Sequence, residues 1–462
     1  MDTPVSTKQR NYDPANPGLR PFHSEIANFI SGKTTPRVYL ESCIEAIEVR
    51  EQDIKAFVAL DLGAARKSAD AATERYKAGM PLSLVDGMPV AVKDVIETED
   101  LPTEHGSKLF AGNRPAWDAA CVYWLRKGGA YVLGKTVTTE FATQPPGPTR
   151  NPWDITRTPG GSSSGSAAAV GATMAPVGLG TQVRGSVLRP ACYCGAYGMK
   201  GSFGTITNQG ILPFSRGINH LGTIASTLED MWLTLHYISR NAGGEPGHAT
   251  LPGKTEMPAA QKPARLVKLD TVAWPRVTPE TQLAFDGLLA HLRAQGVEIV
   301  TRKDSSHVER FERLIADIME VSDGIRDWEA RYPMFPYYDR DKSKLTPASI
   351  GRTENEIAAA TPKSYEDALR RRRDMQEAYA ALSAFADGCI TLTVPAPAPK
   401  GMPTGDASFL DAFSVIGMPA VTLPLLAVEG LPVGVHLSGF HRADSRLIAM
   451  SRWMRDLTLK RH

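Results

Sequence analysis

The stretch "RTPGGSSSGSAAAVGA", from Arg157 to Ala172, is the most distinctive short segment of this 462-residue chain. Three adjacent serines follow a Pro-Gly-Gly entry, and the small residues after them predict a helix. Considered alone, the stretch permits three interpretations: a flexible Gly/Ser linker, a nucleophile elbow of the G-x-S-x-G type centred on Ser163, or a turn that holds a serine for another catalytic arrangement. The rest of the chain has to decide between them.

The composition around this stretch is that of an ordinary soluble globular enzyme. Apolar residues make up 42% of the chain and charged residues 22%, and the formal net charge is +2. A charge so close to zero provides no broad electrostatic footprint for nucleic acid. The N-terminus has no apolar signal core, and prolines interrupt the longest apolar tract, 413–437. We therefore expect a cytoplasmic protein that binds neither nucleic acid nor membranes.

The five cysteines are an odd number and are scattered along the chain. Cys192 and Cys194 are close in sequence, but no second cluster supports a zinc site. We expect reduced thiols, no metal and no cofactor.

The order of apolar segments predicts an α/β fold with a largely buried sheet. Helical periodicity runs from about Ser24 to Ala64. From Gly87 onward, strand and helix patterns alternate: "MPVAVKD" predicts a strand, Asp118 is the expected N-cap of a helix through Leu125, and "AYVLGK" predicts the next strand.

One tempting motif fails in its context. Gly129 to Thr136, "GAYVLGKT", matches the G-x-x-x-x-G-K-[ST] pattern of phosphate-binding loops. Its middle residues, Ala-Tyr-Val-Leu, are typical of a strand, whereas the phosphate cradle needs a loop after the strand. We therefore expect no nucleotide site here.

Three separated features form a more specific pattern. Lys93 ends the apolar strand, "GGSSSGSAAA" begins 67 residues later at Gly160, and Ser186 closes the glycine-flanked "GLGTQVRGS", Gly178 to Ser186. In this order the three features resemble the amidase signature family of serine hydrolases. The resemblance extends to "GKTVTTEFA", "GPTRNPWD" and the C-terminal "PAVTLPLLAVEGLPVGVHLSG", and so covers nearly the whole chain.

The resemblance implies a fold, a set of catalytic residues and a chemistry. The fold would be a three-layer α/β/α arrangement, with a large mixed, twisted central sheet covered by helices on both faces. Ser186 would be the nucleophile, Lys93 the base, and Ser162, in a cis peptide bond, the relay between them. Gly161 and Ser163 would support the relay loop. A lysine can act as such a base if burial lowers its pKa.

The resemblance also implies an oxyanion hole made by the backbone N–H groups of Val183, Arg184, Gly185 and Ser186. The chain departs from the commonest family pattern in this loop, with Gln182 in place of Asp and Arg184 in place of Gly. The long cationic side chain of Arg184 would restrict the pocket or attract a carboxylate. Arg189, the other substrate-binding candidate, follows the nucleophile by three residues.

We predict one large domain. Residues 1–22 would form a loose N-terminal arm, and 23–462 the amidase domain. Within it, the catalytic core would span about 76–240, a variable region on the substrate side about 241–390, and C-terminal core strands and a helix 391–462.

The predicted function is hydrolysis of C–N bonds in small-molecule amides, with aryl amides, esters and carbamates open as substrates, through a serine acyl-enzyme. The aromatic residues between Phe311 and Tyr338 suggest an apolar or aryl substrate. Two alternatives stay open: one member of an amidotransferase-like complex, and a non-catalytic small-molecule-binding relative. A homodimer is also left open. The elbow interpretation would need an acidic residue and a histidine after Ser163, and His436 is one such histidine. We expect His105 and His220 to be structural.

Overall fold

A single large sheet carries the fold. The computed structural model describes residues 11–459, and in this part of the chain eleven strands lie side by side in the order β1-β3-β2-β4-β6-β5-β10-β11-β9-β7-β8. The strands are β1 Phe57–Leu60, β2 Pro89–Lys93, β3 Tyr131–Thr136, β4 Val177–Gln182, β5 Tyr197–Lys200, β6 His220–Ala225, β7 Arg265–Lys268, β8 Glu298–Val300, β9 Gly388–Leu392, β10 Ala420–Val428 and β11 Leu431–Ser438. β2 is parallel to β3 and β4, and β7 to β8 and β9, whereas the other pairs are antiparallel. The predicted mixed α/β sheet is confirmed.

Helices cover both faces of this sheet. They are α1 Ile26–Ile30, α2 Pro36–Ile54, α3 Leu62–Lys77, α4 Ala120–Lys127, α5 Ser164–Gly171, α6 Leu188–Tyr193, α7 Leu228–Ala242, α8 Pro279–Ala294, α9 Ser306–Leu314, α10 Ile318–Asp341, α11 Pro347–Arg352, α12 Pro362–Ala381, α13 Asp411–Val415 and α14 Asp444–Leu459. Every residue of β2 to β6 is buried. Because successive strand residues face opposite sides, such continuous burial requires cover on both faces. None of the helices in residues 11–459 has the length and hydropathy needed to cross a membrane.

The N-terminal helical prediction was wrong in one place. Strand β1 lies inside the segment Ser24–Ala64, and it pairs with β3 at the edge of the sheet. Helix α2 ends because Lys55 takes a left-handed conformation, with φ 55°. The Glu51 carboxylate then accepts the N–H groups of Ala56 and Phe57, which starts the strand. Local capping and edge pairing therefore override the helical periodicity.

The predicted helix cap at Asp118 was also wrong. Helix α4 begins at Ala120, and Ala119 occupies the N-cap position. The Asp118 carboxylate instead accepts the Glu99 N–H at 3.0 Å and pairs with Arg126 at 2.9 Å. The Asp118 side chain therefore forms an ion pair with Arg126 of α4 and does not cap the helix. The following segment is confirmed as strand β3, so the phosphate-loop pattern is a strand.

The start of the described chain is anchored to the core. Tyr12 is buried, its hydroxyl donates to the Pro424 carbonyl at 2.5 Å, and its ring packs edge-on against Trp153. The first ten residues of the predicted loose arm, and residues 460–462, lie outside the described part. The predicted domain boundaries stay predictions.

Candidate active site

Parallel strand pairing assembles the candidate site. β2 and β4 are parallel neighbours, so their carboxyl ends meet at one edge of the sheet. Lys93 is the last residue of β2, and Thr181 lies next to the end of β4. The serine loop approaches from the start of α5. A Cβ at Gly165 would lie 2.2 Å from the Ala56 carbonyl oxygen, so glycine is needed for this approach.

Lys93 is buried with a serine and a threonine at its amine. The Lys93 Nζ lies 2.8 Å from Ser162 Oγ, 2.9 Å from Thr181 Oγ1 and 3.4 Å from the Thr181 carbonyl oxygen. Among the described residues, no carboxylate lies within ion-pair distance of it. Burial therefore holds the pKa of Lys93 well below 10.5, because the charged form loses hydration and has no opposite charge beside it.

Hydrogen counting at this amine depends on its charge, because an ammonium would donate to all three oxygens whereas the neutral amine cannot. A neutral lysine amine has two N–H donors and one lone pair. The two donors match the two Thr181 oxygens, and the lone pair is then left for the Ser162 hydroxyl proton. In this protonation state Ser162 donates to Lys93, as a relay requires.

The serine loop presents Ser162 and Ser163 to different partners. The Gly161–Ser162 peptide bond is cis, and Ser162 reaches Lys93. Ser163 Oγ instead donates to the Thr181 carbonyl at 3.4 Å. His436, the histidine considered for an elbow, is buried on β11 against the Phe413 ring. The elbow interpretation finds no support in these contacts.

Ser186 lies in the loop between β4 and α6, on the wall of a pocket of about 510 Å³. Its carbonyl accepts the Ser163 N–H at 3.3 Å, which joins the two serine loops through their backbones. The structure thus brings the loop of Ser186 against the loop that contacts Lys93. Ser186 is the partly exposed member of the predicted trio, whereas Lys93 and Ser162 are buried.

The carbonyl groups of the Ser186 loop are bound into the protein. The Arg184 carbonyl accepts from the Ser414 hydroxyl, and the Gly185 carbonyl accepts the Arg189 N–H at 2.9 Å. In a trans peptide the following N–H points the opposite way. The N–H groups of Gly185 and Ser186 therefore point away from these contacts, an orientation that suits the predicted oxyanion hole. The oxyanion-hole role of Val183, Arg184, Gly185 and Ser186 stays a prediction.

Gln182 fills the place of the usual Asp by capping the next helix. Its Oε1 accepts the N–H groups of Val187 and Leu188 at 2.9 and 3.0 Å, and its Nε2 donates to Ser414 Oγ at 2.9 Å. A neutral amide therefore serves both the start of α6 and the serine that holds the Arg184 carbonyl. The substitution keeps the loop connected.

We expect Gln182→Leu to unfold more easily and to react more slowly. Two buried N–H groups would lose their acceptor, which costs about 1–3 kcal/mol for each unpaired group. Denaturant unfolding should show a loss of about 2–6 kcal/mol in the free energy of unfolding. Gln182→Glu, which keeps an acceptor for both N–H groups and loses only the Nε2 donor to Ser414, is the matched control and should lose less. Unchanged stability in Gln182→Leu would contradict this account.

The two arginine candidates have different surroundings. Arg184 forms a two-pronged ion pair with Asp411, at 2.8 Å for both bonds, and the Asp411 side chain is fully buried. Arg189 donates to the carbonyls of Gly405 and Gly161 at 2.8 and 2.6 Å. Both arginines line the Ser186 pocket. Burial lowers the pKa of Arg189 to about 10, so it is still cationic at neutral pH.

The buried histidines are kept uncharged by their surroundings. Burial lowers the pKa of His105 to about 4 and that of His436 to about 3, and it holds the pKa of His220 well below 6.5. None of them contacts Lys93 or Ser162 through a hydrogen bond described in residues 11–459. Over the same range, no group of three or more His, Cys, Asp or Glu side chains could hold a metal ion, and all five cysteines are free and buried.

The aromatic segment does not supply the pocket, contrary to the suggestion from sequence. Phe311 is buried in a separate cluster, Trp328 and Tyr332 border another surface cleft, and Tyr337 packs against Phe110. Phe214 is the aromatic residue in the wall of the Ser186 pocket. The segment therefore offers no support for an aryl substrate.

Lys93 predicts the direction of the pH dependence of the reaction. Because burial lowers its pKa, the amine loses its proton below pH 10.5. We expect kcat/KM to rise with pH as Lys93 becomes neutral and to level off well below pH 10.5. A pH profile on a neutral amide measures this limb. An activity that keeps rising up to pH 10.5 would show that Lys93 has an ordinary pKa.

Comparison with known proteins agrees with this geometry. The family model described as Amidase matches residues 39–448. The chain belongs to the amidase family. It is 31% identical over 442 residues to one of the subunits of the glutamyl-tRNA(Gln) amidotransferase of Roseiflexus castenholzii, an alignment that covers 86% of this chain and 88% of that protein.

Solved structures of amidase-family proteins show the same fold. A crystal structure of an amidase superimposes with a TM-score of 0.82 at 28% identity, covering 95% of this chain and 99% of the other. A structure from a protein complex connected with the evolutionary origins of an s-triazine catabolic enzyme also gives a TM-score of 0.82, at 26% identity, covering 95% and 98% of the two chains. As a member of this family, the protein is a hydrolase of C–N bonds.

Proposed function

We propose that this amidase hydrolyses small amides through an acyl-enzyme on Ser186. Ser186 Oγ attacks the carbonyl carbon while its proton passes to Ser162, and the Ser162 proton passes to the Lys93 amine. The backbone N–H groups of Gly185 and Ser186 stabilise the oxyanion that forms, at about 3–4 kcal/mol for a good donor. The pocket volume of about 510 Å³ favours a small substrate.

The second half of the reaction returns the protons. As the C–N bond breaks, Lys93 gives its proton back through Ser162 to the leaving amine, which departs neutral. Water then attacks the acyl-enzyme and loses a proton along the same relay. The ester bond to Ser186 breaks, the carboxylic acid leaves, and Ser186 regains its hydroxyl proton.

The observation that carries this proposal is the buried Lys93 amine 2.8 Å from Ser162 Oγ. An unpaired buried lysine is costly for a merely structural residue. A base that must be neutral near pH 7 benefits from the same burial. The proposed role of Lys93 as a base therefore explains why the protein buries this lysine despite the energetic cost.

A fluorophosphonate probe tests the assignment of the nucleophile. The purified protein is incubated with the probe, digested, and the adduct is located by peptide mass spectrometry. We expect an adduct on Ser186 that is lost in Lys93→Ala. An adduct on Ser163 would show that the nucleophile is misassigned. Absence of any adduct would favour the non-catalytic or complex-dependent alternatives.

The second candidate function belongs to an amidotransferase-like complex, in which this chain passes ammonia to a partner protein. It is favoured by relatives that are named as subunits of glutamyl-tRNA(Gln) amidotransferase, such as that of Chloroflexus aggregans, which is 30% identical over 455 residues. This function predicts a stable hetero-complex on purification from the native source and weak hydrolysis by the isolated chain. Full hydrolysis by the isolated chain favours the free amidase. We propose that this amidase acts in the cytoplasm, alone or as a homodimer.

A further inference from the structure

The wall of the Ser186 pocket is dominated by guanidinium groups. Of fifteen lining residues, five are arginines, and Asp406 is the one carboxylate. The arginines are Arg184, Arg189, Arg276, Arg326 and Arg352. A neutral amide needs few such donors. The wall therefore points to a substrate with an anionic group.

Three of these arginines already pair with a carboxylate or donate their N–H groups to main-chain carbonyls. Arg184 donates two hydrogen bonds to the buried Asp411 carboxylate. Arg276 pairs at 3.2 Å with Asp406, which lies in the same wall. Arg189 holds two main-chain carbonyls and has no carboxylate partner among the described residues. Arg189 adds positive charge to the pocket wall, but both of its terminal nitrogens already donate hydrogen bonds to main-chain carbonyls.

Arg326 and Arg352 differ because Asp327 holds their two guanidiniums next to each other in the pocket wall. Asp327 pairs with Arg326 at 3.1 Å and also with Arg352. Arg326 has a second partner, Asp323, whose side chain is 41% exposed and which does not line the pocket. Arg352 Nε is buried without an acceptor in the described part of the chain. In residues 11–459 no hydrogen bond is described for Nη1 of Arg326 or Nη1 of Arg352, so these nitrogens are the donors left for a ligand, and neither Asp323 nor Asp327 lines the pocket.

Arg352 is also held firmly in the wall of the Ser186 pocket. It ends helix α11, whose N-cap Thr346 and Ser349 both bind the buried Glu140 carboxylate. Glu140 precedes the pocket residue Ala142 by two positions, so one carboxylate fixes α11 to the pocket wall. Such anchoring holds a binding group in place before the ligand arrives. The Arg352 guanidinium also lies 5.7 Å from the ring centre of the lining residue Phe214.

We propose that the amide hydrolysed at Ser186 carries a carboxylate, and that Arg352 and Arg326 bind it. A substrate carboxylate has two oxygens and can accept one charge-assisted hydrogen bond from each of the two guanidiniums. The inference rests on the proposed function for its reaction but not for its binding. It assigns specificity to residues of α10 and α11, far in sequence from the catalytic loops.

Matched substrate pairs test the preference. Glutaryl-4-nitroanilide and pentanoyl-4-nitroanilide differ by a terminal carboxylate on the acyl side. 4-Acetamidobenzoate and 4-acetamidoacetophenone place the same difference on the leaving-group side. We expect kcat/KM to favour the carboxylate by about tenfold or more in one pair. Equal rates, or a preference for the neutral member in both pairs, would overturn the proposal.

Variants separate binding from a structural role. Arg352→Met and Arg326→Met should each lower kcat/KM for the preferred carboxylate substrate by about 10- to 100-fold, mainly through KM. The neutral substrate should change by less than about threefold, and Arg352→Lys should restore part of the loss. Arg302→Gln is the matched control, because Arg302 forms a two-pronged pair with Glu309 outside the pocket. An equal loss on both substrates would assign the arginines a structural role and overturn the proposal.

A binding measurement distinguishes this inference from the proposed function. Calorimetry on Ser186→Ala with glutarate, glutaramide and inorganic phosphate needs no turnover. We expect glutarate to bind at least about tenfold more tightly than glutaramide, and this preference to vanish when Arg352→Met is added. That result together with absent hydrolysis by the wild-type protein would reject the reaction and keep the carboxylate site. Phosphate binding as tight as glutarate binding would overturn the assignment to a carboxylate.

Discussion

Replacing Lys93 with methionine should abolish hydrolysis while leaving the protein folded. The methionine side chain has nearly the same length but cannot accept a proton from Ser162, which Lys93 contacts at 2.8 Å. Loss of the base should lower kcat/KM by about 10⁴-fold. Steady-state rates on a neutral 4-nitroanilide measure the effect. More than about 1% residual activity, well above a 10⁴-fold loss, would contradict the assigned base.

The stability of the same variant has an unusual expected direction. Burial without a carboxylate penalises the charged form of Lys93 and lowers its pKa. Between that lowered pKa and 10.5, the unfolded chain binds the proton and the folded protein does not, so wild-type stability rises with pH across this window. Lys93→Met removes the penalty. Its melting temperature should equal or exceed that of the wild type, most clearly at low pH.

Lys135→Met provides the contrast. Lys135 is also buried at the end of a strand, but it pairs with Asp94 at 3.3 Å and donates to the Ile96 carbonyl at 2.9 Å. Its removal leaves a buried carboxylate unpaired, which costs about 3–5 kcal/mol. Lys135→Met should therefore lose stability where Lys93→Met does not. If both variants lose equal stability, Lys93 has a structural role that the geometry does not explain.

The sequence is sufficient for the parts of the site that are close in the chain or repeated as motifs. The strand before Lys93, the helix after the serines and the mixed sheet follow from apolar pattern and from the family resemblance. The cis peptide bond before Ser162 agrees with what the resemblance implies. These features are local, or they belong to short segments with fixed spacing.

The residues that shape specificity could not be predicted in this way. Asp411 reaches Arg184 across 227 positions, and Glu140 holds Thr346 across 206. Such contacts depend on where α11 and α13 pack, and neither helix carries a recognisable motif. Because Arg326 and Arg352 bring two guanidiniums together in the pocket wall, a carboxylate preference is better assigned to this pair than to Arg184.

The expectations that were wrong have a common physical origin. The sequence predicts a helix across strand β1 because four residues are too few for strand alternation to be distinguished from the longer helical periodicity around them. Asp118 has the chemistry of a cap, but Arg126 offers a stronger, charged partner. The aromatic segment packs against Phe110 and other helices instead of the pocket. In each case a tertiary contact outweighs a local preference.

Replacing Ser186 with alanine should remove the acyl-enzyme and with it about 10⁴-fold or more of kcat/KM. A residual rate above background would come from the oxyanion hole and the relay acting on bound water. Ser166→Ala is the matched control, because Ser166 is a buried serine of α5 that bonds the Leu179 carbonyl and Thr136 Oγ1, both at 2.8 Å, and has no hydrogen bond to Lys93 described in residues 11–459. It should lose about 1 kcal/mol of stability and keep its turnover. Ser163→Ala tests whether Ser163 is the nucleophile instead. A loss as large as that of Ser186→Ala, with no probe adduct on Ser186, would assign the nucleophile to Ser163. That assignment would require a histidine beside Ser163, a contact that residues 11–459 do not make.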